Sequence, residues 1–387
     1  MTRRIDCGYV PLVDAAPLVI AAEIGFAAEE GLDLRLRREL SWAALRDRLI
    51  WGAYDAAHML APVIVAQSGG IGAGDEPLDA LMLLSVNGEV IGASPALARE
   101  IRARADDFLD AAATGQALRA AAAGRRLRVG VPFPYSTHAL IVTYWLSGVG
   151  MAGEVELTTV PPPRMAKAMA AGEIDLFCVG EPWGSVAVER GAAELILPGA
   201  AIWRFAPEKA LAMPRASVEA RPETAEALMR AVWRAARWLD ESSNTATAAG
   251  ILGRADYLDM HPDLLERALT GRLAINPAGD ERLAPRFIEF FAAAANFPWR
   301  SQGLWIAEAL AKLGGADRGR LRAAARASFR TDLFRRALGP IGADLPGASE
   351  KVEGAMGVPT AVASTLGKLV LGPDRFFDGV IFDPADD

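Results

Sequence analysis

Cys7 and Cys178 are the only thiols in this chain of 387 residues. They lie far apart in sequence, so no disulfide framework can staple a chain of this length. Both sit in apolar runs and read as buried free thiols. Histidine is almost as scarce, with three in all. There is no Cys-x-x-Cys and no His-x-x-x-His, which speaks against a structural zinc site. No uninterrupted apolar run approaches the ~20 residues that a bilayer crossing needs, so membrane insertion is not expected. The opening Met1-Thr2-Arg3-Arg4-Ile5 runs straight into a strand-like segment. It lacks the basic stub, apolar stretch and small-residue cleavage site of a secretion leader, and no lipoprotein cysteine follows. The expected location is cytoplasmic, or periplasmic if a leader has been removed. A basic excess is missing too. Lys and Arg total 41 against 48 Asp and Glu, a formal charge of −7. No positive field recommends nucleic acid as a direct ligand. P-loop, GxSxG and post-strand GxGxxG signatures are absent. With no catalytic constellation, the expectation is a protein that is not an enzyme and carries no cofactor and no metal.

What is there suits a globular chain. Hydrophobic residues make up 52% and charged residues 23%, ample for a real core. At about 150 residues per domain the length suggests two or three domains, or two large lobes. Residues 4–11 form a short β-like run ended by a turn. Residues 15–25 turn helical and 31–36 alternate as a strand, a β-loop-α-β unit. A helix over residues 42–51 carries Trp42, Leu45 and Leu49 on one stripe and stops at Gly52. Residues 55–60 read as a buried strand, with Pro62 just inside the next helix. The same plan returns from residue 126. Residues 127–131 form a strand, 132–137 a loop and 138–147 a helix capped by Ser136 or Thr137. A strand over 154–160, a helix over 164–171 and a strand over 174–179 follow, and Pro182 opens another helix. Residues 80–86 read as an apolar strand, Asn87-Gly88-Glu89 as a turn or crossover, and 105–123 as an Ala-rich connecting helix. Beyond residue 211 the pattern is mostly helical, through 221–240, 263–270 and 285–295. The tail past Gly339 is rich in Gly and Pro and is expected to wrap the surface.

Gly52, Asp55 and Pro62 stand at intervals of three and seven; Gly172, Asp175 and Pro182 repeat those intervals. Matching order and matching spacing indicate two similar α/β lobes. The fold class expected is therefore α/β, a two-lobed clamshell with parallel-type sheets and extra C-terminal helices. Lobe 1 would hold residues 1–92 and 210–387, and lobe 2 residues 93–209, with crossings near 87–95 and 208–214. Ligands of open α/β sheets sit beyond the carboxyl ends of strands, and two facing lobes put two such edges across one cleft.

Candidate ligand groups fall at strand-to-helix junctions. Trp42 begins a helix capped by Ser41, and His138 begins another after Ser136-Thr137. Free backbone N–H groups at such starts favour anions, and Trp and His add side-chain donors. Together they suit a small planar anion. Lys209, near the second crossing, would supply the counter-charge. Asn87 and Gly88 lie at the first crossing. His58 in its apolar strand, Thr137 and Glu181 of Glu181-Pro182-Trp183 are secondary candidates. For His58 a hydrogen-bonded core histidine is the plainer explanation, and for Glu181 a helix-dipole complement.

Several segments carry a resemblance. They include residues 8–17, Ser41-Trp42-Ala43 through Asp47, and 55–62. The segments around His138, Pro161-Pro162-Pro163, 178–183, Pro207-Glu208-Lys209 and Asn296-Phe297-Pro298-Trp299 with Trp305 belong to the same set. Together they resemble the nitrate/nitrite/bicarbonate-binding family of ABC-transporter substrate-binding proteins, over nearly the whole chain. The resemblance implies a periplasmic-binding-protein (type II) fold without catalysis. It implies a site at Trp42, Asn87, Gly88, His138 and Lys209. A Lys at position 209 goes with nitrate or nitrite, whereas bicarbonate receptors of the family carry there an acidic residue that helps hold calcium. Ala206 departs from the His expected before Pro-Glu-Lys. With no leader visible, the resemblance leans to the family's cytoplasmic branch: a nitrate/nitrite sensor of nitrate assimilation, paired with an RNA-binding antiterminator. The alternative is the receptor of an ABC-type nitrate or bicarbonate permease. A more distant alternative, a pyrimidine-precursor synthase on the same fold, would need a Cys-rich motif that two scattered cysteines do not provide.

Overall fold

Strand-forming runs in the first 214 residues sort into two sheets. The computed structural model describes residues 2–314 and 316–386. In chain order the strands are β1 (Arg3–Tyr9), β2 (Leu32–Arg38), β3 (Ala56–Leu60), β4 (Leu78–Asn87) and β5 (Glu89–Ala93). Next come β6 (Leu127–Val131), β7 (Val155–Thr159), β8 (Leu176–Gly180), β9 (Glu194–Pro198) and β10 (Pro207–Pro214). A small hairpin, β11 (Arg272–Ala274) with β12 (Glu281–Leu283), and the short β13 (Ile288–Glu289) come later. The first sheet has the order β13-β4-β10-β3-β1-β2 and the second β7-β6-β8-β5-β9. Neither is all parallel, as the sequence suggested. β1 pairs parallel with β2 and β3, and β6 with β7 and β8. But β10 runs antiparallel to β3 and β4, and β5 antiparallel to β8 and β9. The reversed strands β5 and β10 follow the crossings: a chain that leaves one sheet enters the next from the opposite end.

The crossings also move the expected boundaries. β4 ends at Asn87 in the first sheet and β5 starts at Glu89 in the second. The switch thus occurs at Gly88, whose φ of 103 turns the chain there, not after residue 92. On the return, Glu208 and Lys209 already belong to β10 of the first sheet. The turn or crossover expected at Asn87-Gly88-Glu89 is thus where the chain changes sheet.

The repeated Gly-Asp-Pro spacing has a structural counterpart in both halves. Gly52 (φ 74) and Gly172 (φ 64) take left-handed turns after their helices. The next Asp then works on the neighbouring strand. The Asp55 carboxylate accepts the Asp6 N–H at 3.0 Å, and the Asp55 N–H donates to the Asp6 carbonyl at 2.8 Å. Asp175 does the same with Arg128, at 2.9 and 2.8 Å. The carboxylate thus completes the parallel ladder where the strand begins.

Helices fall close to where periodicity puts them. Ser41 caps Trp42–Ile50 and Ser136 caps Thr137–Gly148, each hydroxyl accepting at 3.1 Å from a first-turn N–H. The Ala-rich stretch is helical only over Ala111–Ala122, capped by Asp110. Pro222–Leu239 lays Ala225, Leu228, Val232 and Ala236 into the core of the first sheet. Residues 285–295 are not the helix expected. They form β13 and a single 3-10 turn, Ala292–Ala294, with Ala293 and Ala294 at positive φ. Edge pairing of Ile288 and Glu289 with Asn87 and Val86 outweighs alanine's helix propensity there.

The tail wraps as expected and also ties the two halves together. Tyr144, on the helix Thr137–Gly148, donates to Asp378 at 2.9 Å, and the Phe377 N–H donates to the Ile202 carbonyl at 2.8 Å. Phe376 stacks on Trp203 with centroids 4.7 Å apart. Trp305, on Arg300–Leu313, completes that aromatic group. Among the described residues, no helix is long and apolar enough to cross a membrane.

Candidate functional site

The two sheets meet over a knot of charge with no solvent exposure worth the name. β10 carries Glu208 and Lys209 into it, at 1% and 0% exposure. The 3-10 turn Val13–Ala15 after β1 brings Asp14, and β3 brings His58. The helix start after β6 brings His138, and β5 brings Glu89. All are buried. The Lys209 ammonium lies 2.8 Å from Asp14 Oδ2 and touches the Glu208 carboxylate. It also sits 5.2 Å from the centre of the Trp42 ring, a cation–π distance. His58 Nε2 is 2.9 Å from Asp14 Oδ1, and His138 Nδ1 is 3.0 Å from Glu208 Oε1, both off the line of a good hydrogen bond. Trp42 leans on His58 at 5.5 Å between centroids.

Gly180 ends β8 opposite Glu89 in register. A Cβ built on Gly180 would come within 3.5 Å of His138 Nε2 and 3.6 Å of Asp14 Oδ2, and would collide with Leu12. Glycine therefore lets the backbone approach both polar groups. Several polar atoms there have no hydrogen-bond partner: Trp42 Nε1, His58 Nδ1, His138 Nε2 and both oxygens of Glu89. Buried polar atoms are normally paired, so orphans beside a buried ammonium mark a place where a ligand would satisfy them; the Glu89 carboxyl itself packs against Gly199.

Burial sets the protonation states. It would raise Asp14, but Lys209 and His58 overcome it and hold the carboxyl well below its ordinary range. Burial lowers Lys209 despite Asp14. It lowers His58, and with Lys209 it pushes His138 far below the usual imidazole value. Glu89 rises to about 7, burial outweighing Lys209. Burial raises the thiols of Cys7 and Cys178, which therefore stay protonated.

Of the residues expected from sequence, Trp42, His58, His138 and Lys209 come together here. Asn87 does not join them. Its amide donates to the Arg204 carbonyl at 2.9 Å and accepts from the Ala206 N–H at 3.0 Å, so it straps one crossing to the other. Gly88 is likewise a crossing element, its carbonyl taking the Glu181 N–H. Thr137 donates to the Pro207 carbonyl at 2.8 Å, holding the helix start against β10. Glu181 turns one oxygen to the Ser185 N–H, and burial raises it to about 7. Its peptide carbonyl accepts from Val13 and Trp183 Nε1 donates to Pro11, both at 2.9 Å, which pins the two halves shut beside the cluster. Asp14, Glu89, Glu208 and Gly180 were not singled out. A signal existed for two of them: Asp14 is the only charge in residues 7–22, and Glu89 the only one in residues 80–98.

Comparison with known proteins bears on this geometry. The chain is 29% identical over 397 residues to a nitrate/nitrite-binding protein, NrtA, of Nostoc sp. (strain PCC 7120), covering 99% of this chain and 83% of that one. It is 27% identical over 409 residues to a bicarbonate-binding protein, CmpA, of Synechococcus elongatus, covering 99% and 84%. The fold matches the crystal structure of the periplasmic nitrate-binding protein NrtA from Synechocystis PCC 6803 with a TM-score of 0.85. That match has 26% identity and covers 99% of this chain and 96% of the other. The NMT1-like family model matches residues 2–253. With nearly two thirds of its length inside that match and the periplasmic-binding-protein fold around the cluster, the chain belongs to the NMT1-like family.

Proposed function

We propose that this protein is the solute-binding component of an ABC-type importer for a small oxyanion, nitrate or nitrite, and performs no catalysis itself. The observation that carries the proposal is the buried Lys209 ammonium against the Trp42 ring, in a group where Trp42 Nε1, His58 Nδ1 and His138 Nε2 have no hydrogen-bond partner. A planar anion entering there would accept from the Lys209 ammonium and the Trp42 indole N–H, and from His138 Nε2 once that ring carries a second proton. Site closure follows from the bonds across the halves, Trp183 to Pro11 and Val13 to Glu181. A ligand that bridges the halves favours this closed form by its differential affinity for it.

Nitrate or nitrite is favoured over calcium-assisted bicarbonate by the occupant of the acidic corner. The Lys209 ammonium already lies between Asp14 and Glu208, where a divalent cation would need those oxygens. The relatives described above are binding proteins, which favours a transport receptor over a cytoplasmic sensor with an RNA-binding partner. Isothermal titration of the purified protein with nitrate, nitrite, bicarbonate plus calcium, and sulfate tests the reading. Saturable heat with nitrate or nitrite, lost in Trp42→Ala and His138→Ala variants that keep the native circular dichroism, supports it. Absence of heat with both anions refutes it. Fractionation of native cells tests the transport role, since a receptor for an importer is found outside the inner membrane.

A further inference from the structure

The closed cluster holds more acid than base. One ammonium, Lys209, faces three carboxyl groups: Asp14 from the 3-10 turn after β1, Glu208 beside it on β10, and Glu89 from β5. The other titratable groups against it are His58 from β3, His138 from the helix Thr137–Gly148, and Cys178 from β8. Glu181 is turned away, toward Ser185. Asp14 alone can balance Lys209, so Glu208 is a second carboxyl group against the same ammonium, with the His138 ring as its other neighbour. Adding an anion to a volume sealed from water brings it against buried carboxyl groups where screening is weak.

One arrangement removes that conflict with the groups already present. His138 faces Glu208 through Nδ1 at 3.0 Å, while Nε2 points to the Gly180 side and has no partner. A doubly protonated imidazole there would give one N–H to Glu208 and the other to the anion. Glu89, with both oxygens unpartnered, would present a hydroxyl rather than a charge.

We propose that the cleft takes in its anion together with at least one proton, which His138 holds with Glu208 behind it, so that the species captured is formally the acid. This inference rests on the anion-receptor reading above. The proton comes from solvent and goes to the imidazole; no bond of the anion changes. The burial that keeps His138 neutral in the empty site is the reason the proton arrives with the ligand. The near-neutral titration of Glu89 adds a further fraction of a proton.

The test is titration of the wild-type protein with sodium nitrate at pH 7.5 in phosphate, HEPES and Tris. The slope of observed heat against buffer ionisation heat counts the protons taken up. A slope of one or more is expected, with affinity falling about tenfold per pH unit between pH 7.5 and 8.5. Nitrate binding with zero slope and flat affinity overturns the proposal while leaving the receptor reading intact. No nitrate heat in any buffer refutes the receptor reading, and the proton uptake with it. Glu89→Gln is expected to retain a slope near one; zero slope in that variant overturns the assignment to His138. Nitrogen-15 spectra of the three imidazoles give a second readout. One buried ring is expected to become an imidazolium on nitrate addition, and its staying neutral overturns the assignment.

Discussion

Replacing Lys209 by methionine keeps the length and apolar stem of the side chain and removes only the charge. The ammonium is fully buried and is held by Asp14 at 2.8 Å and by Glu208. Without it, those carboxylates face each other, with Glu89 near them, in a site closed to water. Removing one partner of a buried ion pair costs about 3–5 kcal/mol, because the remaining charge is left uncompensated. That loss is expected in the urea-unfolding free energy of Lys209→Met at pH 8. The sign of its pH dependence follows from Asp14. In the wild type its carboxyl is depressed, so its contribution is present above the ordinary carboxylate value and fades as pH falls through the folded value. In the variant burial dominates, the carboxyl rises, and the same group costs stability above its ordinary value. The gap between the two proteins is therefore widest above neutrality and narrows toward pH 4. Asp14→Asn added to Lys209→Met should recover part of the loss. A gap below about 1 kcal/mol at pH 8, or one that does not change with pH, would refute the charge accounting.

The buried Glu89 makes the opposite pH prediction. Its folded value of about 7 stands above the ordinary 4.5, so stability from this group is full below 4.5 and is lost as pH rises to about 7. Glu89→Gln should flatten that window in thermal melts and stabilise the protein at pH 8 by roughly 3 kcal/mol. Asp55→Ala and Asp175→Ala each remove an acceptor for a strand N–H and should each cost about 1–2 kcal/mol in denaturant titrations. Because they serve different sheets, their double variant should be additive within about 0.5 kcal/mol. Asn87→Ala strands the Ala206 N–H and the Arg204 carbonyl, and should cost roughly 2 kcal/mol while speeding amide exchange at 204–206. Trp42→Phe keeps an aromatic face for Lys209 but loses the indole donor, so nitrate affinity should fall about tenfold in calorimetry with little change in melting temperature.

The elements that sequence exposed best were those with local causes. Ser41 and Ser136 cap helices as their positions suggested, and the paired Gly-Asp-Pro spacing foretold two halves built alike. What it could not expose depends on partners remote in the chain. The reversal of β10 is set by pairing with β3 and β4, and residues 285–295 give up helix for an edge pairing with Val86 and Asn87. At the site, Trp42, His138 and Lys209 stood out because cations and ring donors in apolar surroundings are conspicuous. Asp14 lay unremarked 195 positions from the amine that it binds. Asn87 has the chemistry of a ligand group, yet its amide is consumed by backbone on the returning crossing.

Chain connectivity imposes an order on biosynthesis. All five strands of the second sheet lie between Glu89 and Pro198, whereas the first draws on residues from Arg3 to Glu289 and has β10 near its middle. As the polypeptide leaves the ribosome, the contiguous sheet has every strand available before the strand bearing Lys209 has emerged. The earlier-made β1–β4 must wait, incomplete, for a central member translated more than a hundred residues later. That interval exposes an unpaired β3–β4 boundary of Ala56–Leu60 and Leu78–Asn87, mostly apolar, the kind of open edge that nascent-chain chaperones shield.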